Sequence, residues 1–167
     1  MSSLSSHSCT SSSSIDYLRL NFQLLIEKMK KDNKKSTDRH NIFSRECGGC
    51  GSAHPFHRVV FIRCGHAVCR QCADGALSVC PHCKNPSSSV PLIEDDNHSR
   101  DCGICYCENP LDRSVLSGCG HIVCGACVME IKLIADLQNR QLSCPFCRCQ
   151  SKFVKLEEKR IKNENSK

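Results

Sequence analysis

The feature that most constrains this chain is a ladder of cysteines and histidines that occurs twice. The first copy reads Cys47-x2-Cys50-x13-Cys64-x-His66-x2-Cys69-x2-Cys72-x7-Cys80-x2-Cys83. The second reads Cys102-x2-Cys105-x13-Cys119-x-His121-x2-Cys124-x2-Cys127-x16-Cys144-x2-Cys147. The first six positions recur at a constant offset of 55, as do Gly48/Gly103, Pro55/Pro110, Arg58/Arg113, Val60/Val115, Gly65/Gly120 and Val68/Val123. The second copy carries nine extra residues between its sixth and seventh ladder positions. Self-similarity over this many positions means one structural unit used twice.

The ladder must also staple the fold. The hydrophobic fraction of 40% includes 17 cysteines, and aromatics make up only 5% with no Trp. Units of this size need disulfides or metal to stay folded. Metal is the expectation here. An odd number of cysteines cannot pair completely, and disulfides have no use for two histidines in register. Residues 1–14 are Ser-rich and lack the apolar core of a secretory leader. No run approaches the ~18 apolar residues of a membrane span. An intracellular, reducing compartment is therefore expected, and cysteine clusters in such a compartment bind metal.

Structural zinc takes four soft ligands in a closed tetrahedron. A C-x2-C pair on a tight turn offers two sulfurs to one ion. Eight ligands per copy make two closed sites, so four zinc ions are expected in all. The spacing leaves two fillings open: interleaved pairs, or the first four ligands and then the last four. Fourteen ligand thiolates and four dications bring the formal charge from +6 to near zero. The basic composition is thus weak evidence for nucleic acid, which is further disfavoured because Lys28–Lys35 has no interleaved aromatics for base stacking.

Six segments follow. Residues 1–14 form a disordered arm, and 15–35 a helix with a basic run. In that helix Ile15, Leu18, Phe22, Leu25 and Met29 fall on one stripe, with Ser14 as its N-cap. Docking on its own module and pairing with another chain, as a homo- or heterodimer, are the two uses of that stripe. The two modules occupy 47–83 and 102–147. The linker 84–101 reads as a flexible tether, with Val90–Ile93 as a strand or packing segment. In the charged tail 148–167, residues 153–161 read as a second short helix. The nine extra residues predict a longer helix over 126–139.

The order of three Cys, one His and four Cys resembles the RING finger, and both copies fit its spacing. The resemblance covers about half of the chain. It implies a small zinc-stabilised α+β fold with two tandem cross-brace modules and a flanking N-terminal helix. In the cross-brace Cys47, Cys50, Cys69 and Cys72 hold one ion, and Cys64, His66, Cys80 and Cys83 the next. The second copy would use Cys102, Cys105, Cys124 and Cys127, then Cys119, His121, Cys144 and Cys147. Cys107 and Cys149 lie close to ligands and are expected as bystanders or alternative ligands. His54, His57 and His82 are expected at the surface.

RING fingers typically dock a ubiquitin-conjugating enzyme charged with ubiquitin and orient the thioester, with no covalent intermediate and no catalytic side chain of their own. The contacts implied for the second copy are Ile104, Ile131, Pro145 and Arg148. Their counterparts in the first are Gly49, Ala76, Pro81 and Lys84. The second copy is therefore the expected docking module for a ubiquitin ligase. The competing expectation is a non-catalytic zinc scaffold that pairs with another RING protein.

Overall fold

The computed structural model describes residues 12–34, 43–95, 97 and 99–161. Helix α1 spans Ser12–Lys34. The first module contributes β1 (Arg58–Phe61), β2 (Ala67–Cys69), the short helix α2 (Arg70–Asp74) and β3 (Ser89–Pro91). The second contributes β4 (Arg113–Leu116), β5 (Ile122–Cys124), helix α3 (Gly125–Leu137) and β6 (Phe153–Lys155). Each module builds one antiparallel three-stranded sheet, in the order β2-β1-β3 and β5-β4-β6.

The third strands correct the flexible tether over 84–101 and the short helix over 153–161, and they bear out the strand reading within Val90–Ile93. The segment read as a flexible tether supplies β3, which pairs with β1 through Val59↔Pro91, Val60↔Val90 and Phe61↔Ser89. Pro91 is tolerated because β3 is an edge strand, where its missing N–H breaks no ladder. The segment read as a short helix supplies β6, paired with β4 through Val115↔Val154 and Leu116↔Phe153. The nine-residue insertion shifts the repeat offset from 55 to 64. At the new offset Val90 matches Val154, Leu92 matches Leu156 and Glu94 matches Glu158. The repeating unit thus extends past its last ladder cysteine.

The central strands show why all four of their residues are buried. Successive side chains in a strand face opposite ways. Val59 and Phe61 point into the core of their own module, among Val68, Cys47 and Cys80. Val60 points the other way, into a second core formed with Leu92, Val115 and Leu156. In β4, Leu116 faces its own module and Val115 the shared core. Ala67, Ile122, Val90 and Val154 close that shared core. Its members come in equivalent pairs, so the modules meet face to face across an approximate two-fold axis. Full burial of an aliphatic side chain contributes roughly 1.5–3 kcal/mol, so Val60, Leu92, Val115 and Leu156 bind the halves into one body.

The edges of this contact are reciprocal as well. The Ile93 N–H donates to the Gly120 carbonyl (3.0 Å), and the Glu157 N–H donates to the Gly65 carbonyl (2.9 Å). Both glycines have positive φ, +73° and +83°. A Cβ on Gly65 would lie 2.1 Å from the Lys155 carbonyl oxygen, and one on Gly120 would lie 1.9 Å from that of Pro91. Only glycine supplies both the left-handed backbone and the close approach.

Two buried ion-pair triads repeat the symmetry. Glu94 accepts from Arg58 and Arg45, and Glu158 from Arg113 and Arg100. Burial would raise both carboxyls, but the arginines outweigh it and hold them below the ordinary carboxylate value: Arg58 then Arg45 for Glu94, Arg113 then Arg100 for Glu158. The guanidinium of Arg100 also sits 4.0 Å over the Phe43 ring, linking the segments that lead into the two modules.

Helix α1 begins two residues before its expected cap, and Ser14 lies inside it. Its C-terminal half docks on the second module. Ile26 and Asn33 are buried, and Met29 packs on the second core. The Met29 methyl presses on Gly125, where a Cβ would meet it at 2.9 Å. Asn33 accepts from the Leu111 N–H (3.1 Å), and Lys30 pairs with Glu130 (2.7 Å). Leu18 and Leu25 of the expected stripe stay exposed, along with Tyr17, Leu20 and Leu24. No helix among the described residues is long and apolar enough to cross a membrane.

Candidate metal centres

Four turns of the same design present the C-x2-C pairs. In each, the first Cys N–H donates to the carbonyl five residues on: Cys47 to Ser52, Cys80 to Asn85, Cys102 to Cys107 and Cys144 to Cys149. The residue after the second Cys donates back to the first Cys carbonyl, from Gly51, Lys84, Tyr106 and Arg148, at 2.8–2.9 Å. All four of these residues are left-handed, with φ of +73°, +61°, +55° and +62°. The turn directs both sulfurs of a pair to the same side. Backbone N–H groups then aim at sulfur, as from Cys69 and Gly49 to Cys47 Sγ at 3.2 and 3.4 Å. Burial alone would raise the Cys47 thiol, but the N–H groups of Cys50, Cys69 and Gly49 outweigh it and bring it down to about 6. A thiol so placed is readily a thiolate, the form that binds metal.

These turns assemble into four clusters that could each hold a metal ion, with donor atoms mutually within 4.8 Å. They are Cys47, Cys50, Cys69 and Cys72; Cys64, His66, Cys80 and Cys83; Cys102, Cys105, Cys107 and Cys124; and Cys119, His121, Cys144 and Cys147. The first, second and fourth each join two ladder pairs that are not neighbours in sequence, and the third joins the Cys102/Cys105 pair and Cys107 to Cys124. The spacing suits zinc. Bonds of about 2.3 Å to sulfur and ~2.1 Å to nitrogen place tetrahedral sulfurs ~3.8 Å apart and sulfur–nitrogen edges at ~3.6 Å. The structure has Cys50–Cys69 at 4.0 Å, Cys105–Cys124 at 3.7 Å, and His121 Nδ1 at 3.6 Å from Cys144. His66 Nδ1 lies 3.8 Å from Cys80. Burial, then the neighbouring His82, lowers the His66 imidazole and keeps it neutral, as a ligand must be.

Fifteen of the sixteen expected ligands fall in these clusters, and the third cluster differs from expectation. Its fourth member is Cys107, while Cys127 stands beside Cys102 and Cys124 but outside the group. Cys149 lies 3.4 Å from Cys147. His54, His57 and His82 are exposed and belong to none of the four. The His82 ring packs 4.3 Å from that of His66, and its counterpart Phe146 stacks 5.0 Å from His121. Each of these rings also presses on the glycine after the first ladder cysteine, Gly48 or Gly103. The 64-residue offset makes His82 and Phe146 equivalent, and the packing on histidine carries no sequence signal beyond that. Cys9 lies outside the described residues.

The positions expected to meet a conjugating enzyme differ sharply between modules. Ile104 is half-buried against the second core, Ile131 is half-buried on α3, and Pro145 and Arg148 are exposed. In the first module a Cβ on Gly49 would meet the Cys72 side chain at 3.0 Å and Pro81 at 3.4 Å. Helix α2 ends at Asp74, before Ala76.

Compared with protein-family models and with curated proteins, the sequence gives no match. What fold and sites define together is a small α+β protein with four cysteine-rich clusters fit to bind metal, consistent with zinc.

Proposed function

We propose that this chain is a zinc-stapled RING-type ubiquitin ligase whose second module docks the ubiquitin-conjugating enzyme. The observation that carries the reading is the contrast at the residue before the second ladder cysteine. Ile104 offers a half-buried aliphatic side chain in the module that also exposes Pro145. Gly49 cannot be enlarged without moving Cys72 and Pro81. Helix α3 adds Ile131 and an exposed Ile134 to the same module, and the five-residue α2 has no equivalent. All the metal clusters are closed by protein donors, so zinc would be structural and hydrolyse nothing. Catalysis would come from orientation: holding the charged enzyme's thioester open to a substrate amine converts an encounter into a near-unimolecular step. Arg148 projects from its left-handed turn position, where a planar guanidinium can bridge two acceptors.

The test is an in vitro ubiquitination assay with a panel of conjugating enzymes. Wild type should build ubiquitin chains. Ile104→Ala should abolish them while all four zinc ions stay bound, and persistent activity in that variant would refute the docking assignment. A second reading, a scaffold that pairs with another RING protein, draws on the exposed Tyr17, Leu18, Leu20, Leu24 and Leu25 of α1. Silence across the whole panel would favour it.

A further inference from the structure

The third cluster gathers five thiols where a tetrahedral ion needs four. Cys102, Cys105, Cys107 and Cys124 have sulfurs within 4.8 Å of one another. Cys127 comes up from the first turn of α3. Its N–H donates to Cys124 Sγ (3.4 Å), which sets its side chain next to the cluster. The first module has no such surplus. Ser52 stands at the place of Cys107, on the same turn and with the same carbonyl contact. A serine hydroxyl is a poor substitute for a soft thiolate at zinc.

We propose that Cys107 is an interchangeable ligand of the third site, able to take the place of Cys105 two residues away on the same turn. The inference rests on the reading of the clusters as zinc sites. In the exchange Cys102, Cys124 and Cys127 would hold the ion throughout, and the Cys107 thiol gives up its proton as its sulfur–zinc bond forms. The departing Cys105 thiolate takes that proton as its own bond breaks. One bond replaces another, the number of thiolates is unchanged, and no oxidant is required. The site therefore keeps four sulfurs when Cys105, an exposed residue, is alkylated or otherwise lost.

The experiment counts zinc by native mass spectrometry on the full zinc-loaded chain. Cys105→Ser and Cys50→Ser are the informative pair, because both positions are exposed and equivalent in the repeat. Wild type should carry four ions. Cys50→Ser should fall to three, Cys105→Ser should keep four, and Cys105→Ser/Cys107→Ser should fall to three. Cobalt loading gives a second readout: the thiolate-to-cobalt charge-transfer band should keep its intensity in Cys105→Ser and drop in the double variant. Loss of an ion in Cys105→Ser alone overturns the proposal, as does retention of four in the double variant. A wild-type count short of four would refute the zinc reading itself.

Discussion

The two modules share a plan and differ in what surrounds it. Both have the same two C-x2-C turns, a three-stranded sheet, a left-handed glycine, a buried Arg–Glu–Arg triad and a ring packed on a histidine. The second adds a helix of thirteen residues where the first has five. That helix fills a larger core, carries α1 on its flank and supports Ile104. The first module keeps its sheet and clusters but loses the bulk around them. The comparison teaches that the shared features hold the body together, while the unshared ones stand on one module's outer face.

The comparison can be broken most severely by removing metal. Zinc-finger sites bind with an apparent ~10–16 kcal/mol each, so a strong chelator should unfold both modules. Limiting chelator should separate them. Hydrogen exchange read by mass spectrometry should show β1 and β2 opening before β4 and β5, because the second module has the larger core and a surplus thiol. Simultaneous opening would mean that the shared core, not the metal, sets the order.

Removing a triad carboxylate should have the next largest effect. Glu158→Gln leaves Arg100 and Arg113, both buried, without a counter-charge, a loss of about 3–5 kcal/mol in urea unfolding. Glu94→Gln should cost less, because Arg45 is 16% exposed where Arg100 is 3%. Both carboxyls are depressed in the fold, so their contribution is fully present above the unfolded value of about 4.3. It is lost as pH falls through the lower folded value. The gap between wild type and either variant should therefore be constant near neutrality and close only below about pH 4.

The smallest difference is expected where the modules are most alike. Gly65→Ala and Gly120→Ala should each cost about 1–3 kcal/mol from overpacking, with ~1–2 kcal/mol of left-handed strain besides. Equal losses in thermal unfolding would establish that the lock is reciprocal. Unequal losses would show that one edge carries the contact.

Much of this was legible in the sequence for a simple reason. Ligand spacing is a covalent constraint, and a C-x2-C pair permits few arrangements. The fifteen clustered ligands and α3, expected over 126–139 and found at 125–137, follow from such local rules. The third strands were legible only in part, since Val90–Ile93 reads as a strand or packing segment but Phe153–Lys155 reads as helix. Ser89–Pro91 and Phe153–Lys155 are three residues long and have little strand character of their own. They are strands because β1 and β4 offer free edges and because Val90 and Val154 have the shared core to enter. The triads were hidden in the same way, since Glu94 and Glu158 match only after the offset changes. The placement of Cys107 depended on how its turn folds back over the cluster, which spacing does not specify.

The reciprocal lock between Gly65 and Gly120 has a consequence for descent. A symmetric contact in which each half offers the same surface is what two copies of one subunit would make. Joining those copies in one gene fixes the partner permanently and relieves each half of the need to match the other beyond the contact. The residues at the contact stay paired, Val60 with Val115 and Leu92 with Leu156. Those away from it differ, Gly49 against Ile104 and Ser52 against Cys107. The chain is in this sense a homodimer whose halves have been free to specialise.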